Sequence, residues 1–230
     1  MIDLHTHILP EIDDGSQSVA ESVEMLRMLK AQGIGTVVAT PHFEVHFDTP
    51  ASFLERRNAA FNELNTAAEG LDLPAVIPGA EVAYFWGISR MEGLSDLRIA
   101  GTRLLLVEMP FTKWTDGMVK EIIGLASFNG FKVVLAHVER YLKLVRPRVL
   151  KELALNGVYM QINASFINDG RTRRRALKML KRGNVQFLGS DAHGAIRRPP
   201  ELGSAVEIVK KKLGQDYIML GCELFNKFKI

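Results

Sequence analysis

The chain has 230 residues, of which 47% are hydrophobic, and its formal net charge at pH 7 is +3. It can bury one sizeable core, and we expect a single domain over residues 1–230. The one cysteine, Cys222, excludes an intramolecular disulfide and a thiolate metal cluster, so nitrogen and oxygen must hold any metal. No apolar run approaches the ~20 residues of a membrane-spanning helix, and the first strand follows Met1 directly. We therefore expect a cytoplasmic protein without membrane insertion.

The first predicted strand carries His5 and His7 and leads into the turn Asp13-Asp14-Gly15. Because side chains alternate along a strand, His5 and His7 point to the same side and can share one cation. Asp14 can then reach a neighbouring ion. Taken alone, the His-x-His pair is as compatible with two hydrogen-bonded histidines as with a metal site, and the rest of the chain must decide.

Strands and helices then alternate along the chain. Strands are predicted over residues 36–40, 75–77, 104–107, 132–136, 158–162 and 185–188, and helices over 19–32, 51–69, 116–129, 147–156, 171–182, 201–213 and 222–229. Seven short apolar strands separated by helices predict parallel βαβ units. The expected fold class is α/β, as a distorted (β/α)7 TIM-like barrel, with an open doubly wound sheet as the alternative.

Five later strand ends also finish in His, Asp or Glu. The full set of candidate ligands is His5, His7, Asp14, His42, Glu81, Glu108, His137, Asp191 and His193. In a parallel barrel these side chains gather at the carboxyl ends of the strands. Five imidazoles and four carboxylates suggest two or three divalent cations, with Glu81 and Asp191 as bridging ligands. Manganese, iron and zinc all suit such a mixed donor set.

Two arginines follow ligand motifs and indicate a phosphate ester as substrate. Arg140 lies three residues after His137, and Arg198 lies five after His193, with Arg197 the less favoured neighbour. Guanidinium groups match phosphate oxygens in bidentate geometry. Clustered cations lower the pKa of water towards about 7, so a metal-bridging hydroxide can attack phosphorus while the arginines hold the phosphate. His46 is interpreted as a loop residue that is not a ligand.

Two further features have competing interpretations. Tyr84, Phe85, Phe111 and Trp114 either wall the pocket for an aryl phosphate or pack in the core. The basic stretch 171–182 is interpreted as the solvated face of an amphipathic helix, with long-range attraction of an anionic substrate as a milder role. It lacks the interleaved aromatic residues that stack nucleic-acid bases, so no nucleic-acid partner is expected.

The motifs resemble those of the polymerase and histidinol phosphatase (PHP) superfamily. They are His5-x-His7, Asp13-Asp14-Gly15, Pro41-His42, Gly79-Ala80-Glu81, Glu108, His137-x-Glu139-Arg140-Tyr141 and Ser190-Asp191-x-His193 with Arg198-Pro199-Pro200. Within it, the chain resembles the manganese-dependent tyrosine-protein phosphatases of bacterial capsular and exopolysaccharide loci. The resemblance implies a distorted PHP barrel whose substrate is the phosphotyrosine tail of a bacterial tyrosine autokinase.

The resemblance also implies a distribution of the ligands over three metals. One ion would bind His5, His7, Glu81 and Asp191, a second Glu81, Glu108 and His137, and a third Asp14, His42 and His193. Arg140 and Arg198 would hold the phosphoryl group. The alternatives are a small-molecule phosphatase such as histidinol phosphatase, a metal-dependent amidohydrolase, and a non-catalytic, metal-bound scaffold that binds a kinase. No oligomeric state is predicted.

Overall fold

Nine short strands and eight helices alternate in the computed structural model, which describes residues 1–128 and 130–230. The strands are β1 (Ile2–Thr6), β2 (Thr36–Ala39), β3 (His42–Phe43), β4 (Ala75–Pro78), β5 (Glu81–Ala83), β6 (Leu104–Glu108), β7 (Lys132–Leu135), β8 (Tyr159–Asn163) and β9 (Phe187–Gly189). The α-helices are α1 (Val19–Ala31), α2 (Pro50–Ala68), α3 (Asp116–Phe128), α4 (Pro147–Leu155), α5 (Ala164–Asn168), α6 (Arg173–Lys181), α7 (Leu202–Leu213) and α8 (Asp216–Lys227). Short 3-10 helices span Ile88–Arg90, Leu94–Leu97 and Val138–Tyr141.

The strands form a closed ring of seven positions. Strand pairing is parallel throughout, in the orders β1-β2-β4 and β3-β5-β6-β7-β8-β9. β2 and β3 occupy one position, interrupted at Pro41, which has no N–H for a ladder. β4 and β5 occupy another. A bridge between Thr6 and Ala192 joins β1 to the segment after β9, and the His7 N–H donates to the Ala192 carbonyl at 2.9 Å. The predicted distorted (β/α)7 barrel is confirmed.

The strands are buried on both faces, as their near-continuous apolar sequences require. In β6, Leu104 and Leu106 pack in one core cluster, whereas Leu105 and Val107 pack in a second one together with residues of the surrounding helices. Phe225 of α8 and Phe228 join the first cluster, and the Ile230 N–H donates to the Gly101 carbonyl. Because Gly101 precedes β6, α8 covers the amino ends of the strands and leaves their carboxyl ends for the site.

The helices largely follow the predicted bounds, with two main differences. α8 begins at Asp216, earlier than the predicted residue 222, because Gly221 does not interrupt the helix. A glycine is needed there for close packing, since an added Cβ would lie 3.0 Å from the Gln186 carbonyl oxygen. α5 was not predicted. The predicted last residue of α3, Asn129, lies outside the described residues. In the described part of the chain, no helix is both long and apolar enough to span a bilayer.

Candidate metal centre

All nine predicted ligand residues meet at the carboxyl end of the barrel. β1 and the turn after it provide three of them. The first residues of β3 and β5, the last residue of β6 and the segments after β7 and β9 provide the other six. Every one lies within 4.0 Å, nitrogen to oxygen, of another member: His5, His7, Asp14, His42, Glu81, Glu108, His137, Asp191 and His193. Residues that are up to 188 positions apart in the chain therefore form one cluster.

Glu81 is the centre of this cluster. Its Oε2 lies 3.1 Å from His5 Nε2, 3.3 Å from His7 Nε2 and 3.2 Å from His42 Nδ1. Its Oε1 lies 2.9 Å from His137 Nε2. The side chain is only 1% exposed, so one buried carboxylate is surrounded by four imidazoles. The predicted bridging position of Glu81 agrees with this geometry.

The donor atoms have the arrangement that a cation requires. His5 Nε2 and His7 Nε2 face each other at 3.1 Å, and Glu81 Oε2 is buried without a well-formed hydrogen bond to any described residue. Three overlapping groups each place their ligand atoms within 4.8 Å of one another: His7, Asp14, His42 and His193; His5, His7 and Glu81; and His42, Glu81 and Glu108. Converging nitrogen and oxygen lone pairs suit divalent metals, so the residues fit such ions.

The charges of the cluster keep its carboxylates ionised. Burial alone would raise the pKa of Glu81, but the neighbouring imidazoles lower it well below its usual range. Burial also opposes the ionisation of Asp191, yet His5 and Arg140 lower its pKa. Burial would lower the pKa of His7, but hydrogen bonds with Asp13 and Glu81 raise it to about 10. Carboxylates held as anions at neutral pH are ready to bind cations, whereas the His7 imidazole must first lose its proton to a solvent base.

Backbone strain orients several of these side chains. His137, Asp191 and Arg198 adopt φ values of 30°, 52° and 54°, in the left-handed region that non-glycine residues rarely enter. Such conformations cost about 1–3 kcal/mol each and concentrate at functional sites. Their occurrence at three predicted site residues indicates that the surrounding structure enforces this geometry.

Three supporting residues were not assigned roles from the sequence. The Asp13 carboxylate accepts from His7 Nδ1 at 2.7 Å, and Gln161 Oε1 accepts from the His137 N–H at 2.6 Å and lies 3.2 Å from His5 Nδ1. Asn163 donates to Asp191 Oδ2 at 2.6 Å. Hydrogen bonds of this kind fix the orientation of metal-binding side chains. The sequence did contain one signal for two of them: Gln161 and Asn163 are amide side chains at alternating positions of β8, and therefore lie on the same side of that strand.

The two predicted arginines lie together at the mouth. Arg140 Nη2 is 2.5 Å and Arg198 Nη2 is 2.8 Å from the same atom, Asp191 Oδ2. Their side chains are 37% and 41% exposed, so both are accessible from solvent above the cluster. Arg197 is exposed and forms no ion pair with any described residue, which agrees with the preference for Arg198. His46 is exposed on the loop after β3, outside the ligand groups.

Apolar side chains surround the opening. The ring of Phe111 stacks on His137 with centroids 6.0 Å apart, and Arg140 lies 5.9 Å from its centre. Phe111 is half-exposed, and Phe47, Trp86 and Ile196 are exposed on other loops that follow strand carboxyl ends. Trp114 instead packs against Tyr141, and Tyr84 and Phe85 contact the core. Of the four aromatic residues predicted to wall the pocket, Phe111 lies best placed to contact a substrate.

The profile of the family described as "Capsular polysaccharide synthesis, CpsB/CapC" matches residues 1–224. Among curated relatives, the tyrosine-protein phosphatase YwqE of Bacillus subtilis is 30% identical over 224 residues, covering 94% of this chain and 86% of its own. The tyrosine-protein phosphatase CpsB of Streptococcus pneumoniae is 31% identical over 228 residues, covering 93% and 91%.

Two solved structures share the fold. One belongs to a study of B. subtilis YwqE and S. pneumoniae CpsB, which it describes as unique metal-dependent tyrosine phosphatases. Its TM-score is 0.85 at 28% sequence identity, and the match covers 100% of this chain and 96% of the other chain. The other is a histidinol phosphate phosphatase from Lactococcus lactis in complex with zinc, L-histidinol and phosphate. It has a TM-score of 0.61 at 15% identity, covering 93% and 94%, which supports the barrel fold alone.

Proposed function

The chain belongs to the capsular polysaccharide synthesis CpsB/CapC family, and we propose that it hydrolyses phosphotyrosine in proteins with divalent metal ions bound at the strand ends. The predicted enzyme class, a metal-dependent tyrosine-protein phosphatase, is confirmed by the relatives and by the solved structure described in those words. The observation that carries the proposal is the cluster of nine ligand-type side chains, in which four imidazoles surround the buried Glu81.

We propose three ions. They are bound by His5, His7, Glu81 and Asp191, by Glu81, Glu108 and His137, and by Asp14, His42 and His193. The distances support these sets, because His137 Nε2 lies 3.2 Å from Glu108 and His193 Nε2 lies 3.4 Å from Asp14. Such ions would supply a water-derived nucleophile at neutral pH and would neutralise charge on the attacking and leaving oxygens. The mixed donor set suits manganese, iron and zinc alike, and we propose manganese as the native metal because of the resemblance to manganese-dependent phosphatases.

The remaining groups at the mouth bind and orient the ester. Arg140 and Arg198 hold the phosphoryl oxygens, since both guanidinium groups border the cluster and are accessible to solvent. Phe111 packs against the tyrosine ring, because its exposed ring already stacks on the ligand His137. Asp13, Gln161 and Asn163 do not touch the substrate, but they orient the ligands.

The substrate we propose is a phosphotyrosine tail of a bacterial tyrosine autokinase in the cytoplasm. The family description, capsular polysaccharide synthesis, supports this setting. Support for a protein substrate comes from the exposed Phe47, Trp86, Phe111 and Ile196 around the opening, since exposed apolar residues rimmed by charge commonly mark protein-binding surfaces. One domain over residues 1–230 is part of the proposal, supported by the uninterrupted family match.

Metal removal and restoration test this function. We expect chelation to abolish hydrolysis of p-nitrophenyl phosphate and of a phosphotyrosine peptide, and manganese to restore both. The rate on the peptide should exceed that on histidinol phosphate. Turnover that is indifferent to the chelator would contradict the proposal, and faster hydrolysis of histidinol phosphate would assign the small-molecule alternative.

The arginines provide a matched pair of variants. Arg198→Ala should lower kcat/KM about 100-fold, because a charged donor to the phosphoryl group is lost. Arg197→Ala removes the same charge one residue away and should change it less than twofold. Equal effects of the two substitutions would exclude a specific role for Arg198. Manganese binding without any hydrolysis in the wild-type protein would indicate a scaffold.

A further inference from the structure

A cavity of about 680 Å³ lies on the outer wall of the barrel, between α4 and α6. We call it the α4–α6 groove. Its apolar surface includes Leu142, Val145, Leu150, Met160 and Met179. Pockets of 300–1,000 Å³ with mostly apolar linings are typical of ligand-binding sites. The groove is separate from the metal cluster, because none of the nine candidate ligands lines it.

The rim of the α4–α6 groove is strongly basic. Lys151 on α4, Arg175 and Lys178 on α6, and Arg182 just after α6 line it, and its lining contains no Asp or Glu. All four cations are exposed, and none of them forms an ion pair with a described residue. Four uncompensated positive charges around an apolar floor favour a partner that is both anionic and apolar.

The position of the groove connects it with the mouth of the barrel. Leu142, Val145 and Pro147 line one end, and Leu142 immediately follows the 3-10 helix Val138–Tyr141, which contains the proposed phosphate-binding Arg140. Leu155 and Arg182 line the far end, where α4 and α6 finish. The nine residues of α4 span about 13 Å at 1.5 Å per residue. A polypeptide leaving the mouth can therefore enter the groove within a few residues.

We propose that the α4–α6 groove binds an acidic, amphipathic segment of the phosphorylated polypeptide, outside the phosphotyrosine itself. This inference rests on the proposed function, which supplies a polypeptide held at the mouth. The segment's carboxylates pair with the rim cations, and its apolar side chains fill the floor. Nucleic acid is disfavoured because no aromatic residue lines the groove to stack bases.

Charge reversal at two different pairs of α6 residues separates an effect of the groove lining from an effect of the net charge of the protein. The test variant is Arg175→Glu/Lys178→Glu, whose residues line the groove. The control is Arg174→Glu/Lys181→Glu, on the same helix, where both residues are exposed and outside the lining. Both variants change the net charge by the same amount. Thermal unfolding checks that both remain folded.

The substrates are phosphotyrosine peptides extended by a segment of alternating Glu and Leu, placed before the phosphotyrosine in one peptide and after it in another. A matching pair has Gln in place of Glu. We expect the test variant to have a KM about tenfold higher than wild type for at least one Glu-Leu peptide, with little change in kcat. The control variant should change the KM for the same peptide less than twofold. Turnover of p-nitrophenyl phosphate should be unchanged in both. Ala154→Trp, which fills the groove without altering charge, should raise KM in the same way.

The outcomes separate the two proposals. If the wild-type enzyme hydrolyses no phosphotyrosine peptide, the proposed function fails. If it does, but the two double variants behave alike or the Gln peptides bind as well as the Glu peptides, the docking proposal is wrong. The test variant could instead lose binding to phosphatidylserine vesicles while its KM for the peptides stays unchanged. That result would identify a lipid surface as the ligand of the groove and would also overturn the docking proposal.

Discussion

Asp13 offers a sharp test of how the ligands are held. Its carboxylate accepts from His7 Nδ1 at 2.7 Å, from the His42 N–H at 3.0 Å and from the Gly15 N–H at 2.9 Å. Asp13→Ala removes the two oxygens that accept these three hydrogen bonds. Loss of the hydrogen bond to a metal-binding imidazole lowers metal affinity about 10–100-fold, or about 1.4–2.7 kcal/mol. The two backbone donors left without partners should lower the free energy of unfolding by about 1–3 kcal/mol each.

The assay is a manganese titration of apo-protein, by calorimetry and by turnover of p-nitrophenyl phosphate, together with urea unfolding. Asp13→Asn, which keeps one oxygen acceptor, should show a smaller loss of affinity than Asp13→Ala. Asp72→Ala is the control, because it removes an exposed carboxylate whose one ion pair with a described residue is that with Lys30 on the surface. Manganese affinity equal to that of the wild type in folded Asp13→Ala protein would refute the orienting role.

Three further substitutions test separate parts of the structure. Gln161→Leu removes the acceptor of the His137 N–H and should lower stability by about 1–3 kcal/mol in urea unfolding, with reduced manganese affinity by calorimetry. Phe111→Ala should raise KM for an aryl phosphate about tenfold relative to an alkyl phosphate, and equal changes would exclude ring packing. Burial raises the pKa of Glu121, but hydrogen bonds from Tyr84 and the adjacent loop lower it below its ordinary value of 4.5. The stabilisation by Glu121 is therefore present above pH 4.5 and is lost as the pH falls below 4.5. The Tm of Glu121→Gln should lie about 2–4 °C below that of the wild type at pH 7, and the two Tm values should converge in acid.

The sequence predicted the barrel and the ligand set because both follow from local patterns. Short apolar strands that end in a polar residue signal parallel βαβ units, and the topology then brings those ends together. His5 and His7 needed only the alternation of a strand to share a face. Each candidate ligand could therefore be named without knowing which distant residue it would meet.

The supporting residues could not be assigned because their partners lie far along the chain. Gln161 joins His5 to His137 across 156 and 24 positions, and nothing near it in the sequence indicates either contact. Asp13 and the predicted ligand Asp14 are adjacent residues of the same type. Their roles differ because the turn points their side chains in different directions, which the sequence does not reveal. The α4–α6 groove likewise depends on the packing of two helices whose sequences indicate only amphipathic surfaces.

The bridge between Thr6 and Ala192 has a consequence for synthesis on the ribosome. The first strand completes its pairing only with a segment that is translated more than 180 residues later. Loop closure over such a separation is slow, and an unpaired strand edge promotes aggregation while it persists. Nascent chains shorter than about 193 residues lack Asp191 and His193, so they cannot assemble the complete ligand set. Catalytic competence therefore requires that translation has passed His193.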